Sequence, residues 1–247
     1  GLYGEARFSK DGKGIYIITD KDAEFQRLAY MDLVTKQLRF LTSEIRWDVR
    51  GFDLTRDGKK IAFVTNEEGI SVLHVMDAAK GKESAVPKLP TGVIGGLRWH
   101  RNGQDLGFTL QTARAQADCF SLDVATSKLE RWTESESAVK TEAFPEAELV
   151  KWKTFDGKTI SGFLYRPPAK FTGKRPVLVI IHGGPEGQAL PVFLGRNNYF
   201  LNELGIALIY PNVRGSTGYG KSFTLLDNGM LRDHTYKDIN ALFDCIS

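Results

Sequence analysis

The sequence predicts two architectures in series, an all-β array of repeated four-strand units and then an α/β segment. Three observations carry this. Phe8-Ser9-Lys10-Asp11-Gly12, Leu54-Thr55-Arg56-Asp57-Gly58 and Trp99-His100-Arg101-Asn102-Gly103 share one pattern, and their glycines lie 46 and 45 residues apart. A second marker keeps the same period, because a later strand-like segment ends each time at an aspartate (Asp32, Asp77, Asp123), with spacings of 45 and 46. Further on, the apolar run Val177-Leu178-Val179-Ile180-Ile181 enters the glycine turn His182-Gly183-Gly184-Pro185.

Each repeat is built from short strands. Asp-Gly and Asn-Gly are strong hairpin signals, and a two-residue loop would need the type I′ turn with positive φ. The large apolar residue before each turn ends a first strand. The segments Ile15–Ile18, Ile61–Val64 and Leu106–Thr109 supply the next strand, and Leu28–Asp32, Leu73–Asp77 and Cys119–Asp123 the third. A polar turn follows, then a closing strand at Leu38–Thr42 and Leu129–Thr133. Pro87 and Pro90 fall in the expected closing strand of the middle copy, which is therefore looser. Four strands in a unit of about 45 residues is the pattern of a β-propeller blade, and a ring needs about four to eight blades. Three form a partial propeller. Trp99 and Trp132 are expected to pack between units. His74 reads as a strand side chain and His100 as a turn residue.

Residues 134–148 are polar and acidic and mark the domain boundary. The first domain is placed at 1–140 and the second at 141–247. Leu149–Phe155 and Thr159–Tyr165 flank Asp156-Gly157 as a hairpin. Val177–Ile181 reads as a strand buried on both faces, as in a parallel sheet. Gly183 and Gly184 let the chain turn and leave N–H groups reachable, which suits an oxyanion but also suits a plain βα turn. Arg196–Leu204 has helical spacing, with Tyr199, Phe200 and Leu204 on one side and Gly205 to end it. Ile206–Tyr210 is a second buried strand, completing a βαβ unit. The glycine-rich loop Pro211–Gly220 follows. Lys237–Ile246 is a last helix with Ile239, Leu242, Phe243 and Ile246 on one face.

Composition narrows the function classes. The net charge is +3, from 33 basic and 30 acidic residues that are scattered, so nothing points to nucleic acid. No apolar run reaches the length of a membrane-spanning helix. Cys119 and Cys245 have no metal-ligand spacing, and no metal or cofactor is expected. Gly1-Leu2-Tyr3-Gly4-Glu5 is not a signal peptide, and cytoplasmic, periplasmic and secreted placements stay open. The oligomeric state is open too.

His182-Gly183-Gly184-Pro185, with Asn212-Val213-Arg214-Gly215-Ser216-Thr217-Gly218-Tyr219-Gly220 after the next strand, resembles the prolyl oligopeptidase family of serine peptidases. The likeness is strongest to its acylaminoacyl-peptidase and dipeptidyl-peptidase-like branch. The resemblance implies a propeller joined to a C-terminal α/β-hydrolase domain, of which this chain holds the N-terminal half. It implies that His182, Gly183 and Gly184 form the oxyanion-hole loop, the donor being a backbone N–H of Gly183 or Gly184. His182 is then a loop-shaping residue rather than the base. Arg214 and Tyr219 fall in a loop near the active-site mouth, and Arg214 is expected to hold that loop through a buried ion pair. The implied substrate is an oligopeptide.

The nucleophile is missing. The family carries it on Gly-x-Ser-x-Gly, which does not occur here, and its triad runs Ser, Asp, His. A triad from Ser216, Asp233 or Asp238, and His234 has the wrong order and surroundings. The chain is thus expected to be an internal fragment, poorly soluble and inactive alone, with Val177–Ile181 left as a sheet edge. An esterase and a non-catalytic propeller binding protein with a degenerate hydrolase domain are the competing readings. The codons after Ser247 discriminate among them.

Overall fold

The computed structural model describes all residues except Ala138, Pro185 and Ser247. The fourth position of the His182–Pro185 motif and the terminal serine therefore lie outside the described residues. The described chain divides into two compact units. One comprises 1–90, 94–110 and 117–135, the other 91–93, 111–116 and 136–247.

Three four-stranded antiparallel sheets follow one another in the chain. The first contains β1 (Tyr3–Phe8), β2 (Gly14–Thr19), β3 (Arg27–Asp32) and β4 (Leu38–Phe40). The second contains β5 (Asp48–Leu54), β6 (Lys60–Glu67), β7 (Ile70–Asp77) and β8 (Glu83–Ser84). The third contains β9 (Gly92–Trp99), β10 (Asp105–Thr112), β11 (Asp118–Asp123) and β12 (Lys128–Arg131). Strand order in each is sequential, so every connection is a hairpin. The period-two alternation of β6 explains its continuous apolar run. Ile61 and Phe63 join Tyr16, Ile18 and Leu28 in one core, while Ala62 and Val64 join Leu106, Phe108 and Leu122 in another. The middle sheet is buried on both faces.

The Asp-Gly turns differ from the expected type I′. Gly12, Gly58 and Gly103 have φ of 69°, 72° and 68°, whereas Asp11, Asp57 and Asn102 do not enter the positive-φ region. The amide of Gly58 donates to Thr55 O at 2.8 Å, and Thr55 N donates to Lys60 O at 3.0 Å. Each loop is thus an ordinary turn closed by one left-handed glycine, a longer hairpin than the two-residue kind. The carboxylate braces it from inside, since Asp57 Oδ1 accepts from Thr55 Oγ1 at 2.7 Å and from Lys59 N at 3.0 Å. The strand-ending aspartates work alike. Asp32, Asp77 and Asp123 each accept from two amides of the following turn through Oδ1. Four residues later comes a left-handed position, at Lys36 (φ 60°), Gly81 (66°) and Ser127 (61°).

Two tryptophans part ways. Trp99 bridges sheets, its amide donating to Asp53 Oδ2 at 2.8 Å and its indole to Asp53 O at 3.2 Å. Trp132 does not pack between sheets, being 64% exposed. It follows β12, and its indole N–H donates to the Ser121 hydroxyl at 2.8 Å. In the middle sheet β8 stops at Ser84, three residues before Pro87, as the loss of a ladder amide demands.

The second unit holds a mixed sheet in the order β13-β14-β16-β15. β13 (Glu148–Lys153) and β14 (Thr159–Tyr165) form the hairpin across Asp156-Gly157. β15 (Val177–Val179) pairs parallel to β16 (Ala207–Asn212), with α1 (Asn198–Asn202) between them. α2 (Lys221–Thr224) and α3 (Asp233–Ile246) follow. Leu242 of α3 packs on Trp152, Ile160 and Ile209.

Three expectations are corrected here. β15 is the edge strand, as expected for Val177–Ile181 in this chain, and so it is not buried on both faces. It is three residues long, and Leu178 and Ile181 are 38% and 45% exposed, because only the Val177 and Val179 side meets the core. α1 is shorter than Arg196–Leu204 and turns inward Asn198 and Leu201, leaving Tyr199 and Leu204 exposed. α3 begins at Asp233 and centres its buried face on Asp238 and Leu242, with Phe243 exposed. A buried aspartate displaces the apolar face from where hydropathy alone would put it.

Candidate active-site loops

Two glycine-rich loops leave the same end of the parallel pair. The first follows β15 and contains His182, Gly183 and Gly184. The second follows β16 and contains Val213 to Gly220. Asn212, fully buried at the end of β16, ties them together. Its Oδ1 accepts from Ala189 N at 2.7 Å, and its Nδ2 donates to Ala189 O at 3.1 Å and to the Tyr219 hydroxyl at 3.0 Å. Thr217 N donates to Gly187 O at 2.9 Å. Gly187 must lack a side chain, since a Cβ there would lie 2.9 Å from His182 Nδ1 and 3.0 Å from Gly183 O.

Gly183 and Gly184 are exposed, and neither amide donates to any described residue. Gly184 has φ 122°, a conformation essentially closed to other residues. Two exposed, unengaged amides at a strand end are the kind of donors an oxyanion needs.

His182 Nε2 lies 2.9 Å from Ser216 Oγ, the length of a nucleophile–base contact. The protons run the other way. Ser216 Oγ donates its one hydrogen to Val213 O at 2.6 Å, so the imidazole must donate and the hydroxyl accept. Ser216 is also fully buried. The pair fastens one loop to the other and has no free hydroxyl for attack. His234, Asp233 and Asp238 do not join it. His234 stacks edge-on against Phe155 at 5.2 Å.

Arg214 turns away from His182 and into the core, 1% exposed. Its Nε donates to Asp238 Oδ2 at 2.9 Å and its Nη2 to Asp238 Oδ1 at 2.7 Å, a bidentate pair between fully buried groups. The guanidinium also reaches Asp156 at 3.1 and 3.3 Å and lies over the Phe155 ring at 4.7 Å. Asp238 Oδ2 accepts further from Arg214 N at 3.0 Å, and Oδ1 from Thr154 Oγ1 at 2.7 Å. Burial opposes the charge on Arg214, but the two carboxylates outweigh it and raise its pKa. Hydrogen bonds from Arg214 hold Asp156 down at about 2. Tyr219 is half-buried, its hydroxyl 2.7 Å from Ser161 Oγ on β14.

The structure thus brings His182 to the Arg214–Tyr219 loop through Ser216, and sends the Arg214 side chain to the opposite side. Asn212, Asp238 and Asp156 complete the arrangement. Sequence reasoning placed Asn212 in the second loop motif and Asp156 in the hairpin turn without giving either a role, and weighed Asp238 only for a triad. One signal was available, in that a loop arginine destined for burial demands a carboxylate. Among the described residues no cluster of His, Cys, Asp and Glu could hold a metal.

No protein-family model matches the chain. It is 24% identical to a prolyl endopeptidase of Elizabethkingia meningoseptica over 94% of this chain and 33% of that protein. It is 26% identical to a probable dipeptidyl-peptidase 5 of Emericella nidulans over 91% of this chain and 33% of that one. Among solved structures, a puromycin hydrolase superposes with a TM-score of 0.84 at 22% identity, covering 99% of this chain and 38% of the other. A prolyl endopeptidase structure superposes with 0.81 at 19% identity, covering 100% and 36%. The chain spans about a third of the length of these two sequence relatives. By its relatives and by its fold, the chain is a relative of the prolyl oligopeptidase-family peptidases.

Proposed function

We propose that this chain supplies the junction of a serine peptidase, three propeller blades followed by the first half of an α/β-hydrolase domain. In it the loop His182–Gly184 provides one oxyanion-hole donor. The observation that carries the reading is the pair of unengaged amides of Gly183 and Gly184 directly after a parallel strand. In the complete protein a serine attacks the peptide carbonyl with a histidine as base. The developing oxyanion is met by the Gly183 or Gly184 amide, and water hydrolyses the acyl-enzyme. The reading assigns that serine and its partners to residues outside this sequence, because the one Ser–His contact here has its hydroxyl proton committed to Val213 O.

His182 shapes the loop in this scheme, and Asn212 and the Arg214–Asp238 pair hold it. The chain alone therefore turns over no p-nitroanilide or ester. Hydrolysis by this chain that a serine-directed inhibitor abolishes would refute the proposal. In the complete protein, Gly184→Val is expected to lower kcat by about 10²-fold with little change in KM, the cost of one displaced oxyanion donor. An unchanged kcat would remove the donor role from this loop.

A further inference from the structure

One cation stands at the same place in each of the three repeat turns, namely Lys10, Arg56 and Arg101. All three are exposed, and none has a hydrogen-bond or salt-bridge partner among the described residues. They converge on one open cavity of ≈ 320 Å³, whose other lining includes Thr55, Asp57 and Asn102. Those polar groups are already engaged within their own turns. Asp57 accepts from Thr55 and Lys59, and Asn102 bonds Gln104, Asp105 and the Asp105 carboxylate. Three cations face the single carboxylate of Asp57, so the cavity carries a net positive charge.

The turns are held side by side by packing. A Cβ on Gly58 would lie 2.8 Å from Lys10 Cβ, so the lysine stem rests on the next sheet's turn glycine. Lys60 Nζ donates to Gly103 O at 3.2 Å, linking the second turn to the third. Lys10 also lines flanking cavities of ≈ 230 and ≈ 370 Å³, which contain Arg7 with its ion-pair partner Asp53 in the first and Arg39 with Asp11 in the second. The three cavities share Lys10 and adjoin along the row of turns, and their lining holds five cations against the three carboxylates Asp11, Asp53 and Asp57. Such a surplus of positive charge raises the local concentration of anions.

We propose that this row of cavities binds an acidic peptide segment in an extended conformation. Packed sheets stand about 10 Å apart, so cations on equivalent turns of adjacent sheets are expected at about that spacing. A polyproline II chain rises about 3.1 Å per residue with three residues per turn, so every third side chain repeats on one face after about 9.3 Å. A peptide with a carboxylate at every third residue therefore meets Lys10, Arg56 and Arg101 in register. This surface is independent of the peptidase reading, because it uses only the first three sheets.

The probe is a fluorescein-labelled repeat of Glu-Pro-Pro, titrated with the chain and followed by fluorescence anisotropy. Binding is expected at about 50 mM salt and to weaken several-fold at about 200 mM as screening tightens. K10E/R56E/R101E should weaken it more than about tenfold, while the charge-matched control K21E/K82E/K128E changes it less than about twofold. Circular dichroism must show both variants folded, and R56Q alone, at an exposed turn, gives a milder loss should the triple variant unfold. Equal losses in variant and control, no binding, or tighter binding of a single-stranded DNA oligomer of the same charge would each overturn the proposal.

Discussion

Asp57 and Asp156 occupy corresponding Asp-Gly hairpin turns in the two units, yet they are held differently. Both follow a strand, both precede a left-handed glycine, and both have a lowered pKa. For Asp57 the cause lies within two residues, the Thr55 hydroxyl and the Lys59 amide. For Asp156 it lies 58 residues away, in the Arg214 guanidinium. A repeat array can brace each turn locally because each sheet is a copy of the last. The unit at 136–247 has no such copies, and there the turn is tied at long range into a buried charge network.

The strongest way to test that contrast is to break the network. Asp238→Ala leaves a buried guanidinium with only Asp156, and should cost about 3–5 kcal/mol in the denaturant transition of the second unit. Trp152, buried with its indole donating to Asp238 O at 3.3 Å, is the fluorescent reporter. A loss below about 1 kcal/mol would show the network to be dispensable. Gly215→Ala comes next. Its φ is 95°, and a Cβ would fall 2.4 Å from Asp227 Cγ, so about 2–4 kcal/mol should be lost in the same transition. In the repeats, Gly12→Ala should cost only about 1–2 kcal/mol for its left-handed φ, because a Cβ there meets nothing within 4 Å, and the neighbouring sheets should be unaffected in hydrogen exchange. Asp57→Ala should cost less again, since the turn keeps its backbone hydrogen bonds.

Acid separates the two aspartates further. Asp156 has its folded pKa depressed to about 2 from 3.8, so the stability it contributes is complete above about pH 4 and is lost as pH falls towards 2. Asp156→Asn should flatten that acid limb in the second unit while leaving the first unit's limb in place. An unchanged acid limb would mean that Arg214 does not need Asp156.

The same contrast explains what could be read from the sequence. The strands of the repeats were legible because two markers, Asp-Gly and the strand-ending aspartate, act through neighbours a few residues away. Asp32, Asp77 and Asp123 end β3, β7 and β11 as expected from spacing alone. The turn type was not legible, because Asp-Gly serves both a two-residue loop and the longer loop found here. In the second unit, hairpin and parallel strands were visible as apolar runs. The partners of Arg214 were not, since Asp156 and Asp238 stand 58 and 24 residues away with no periodicity to join them. Trp132 misled because aromatic size suggests burial without saying where cover exists, and Asp238 displaced the helix face that hydropathy predicted.

The left-handed residue after each strand-ending aspartate offers a route to a hardier protein. Only the middle copy meets that backbone requirement with glycine, at Gly81, while Lys36 and Ser127 hold the same φ with a Cβ in place. Left-handed backbone disfavours a side chain by about 1–2 kcal/mol, partly offset by the looser unfolded chain that glycine brings. Lys36→Gly and Ser127→Gly should therefore each raise the melting temperature slightly, by borrowing for the first and third sheets the solution that the middle sheet already carries.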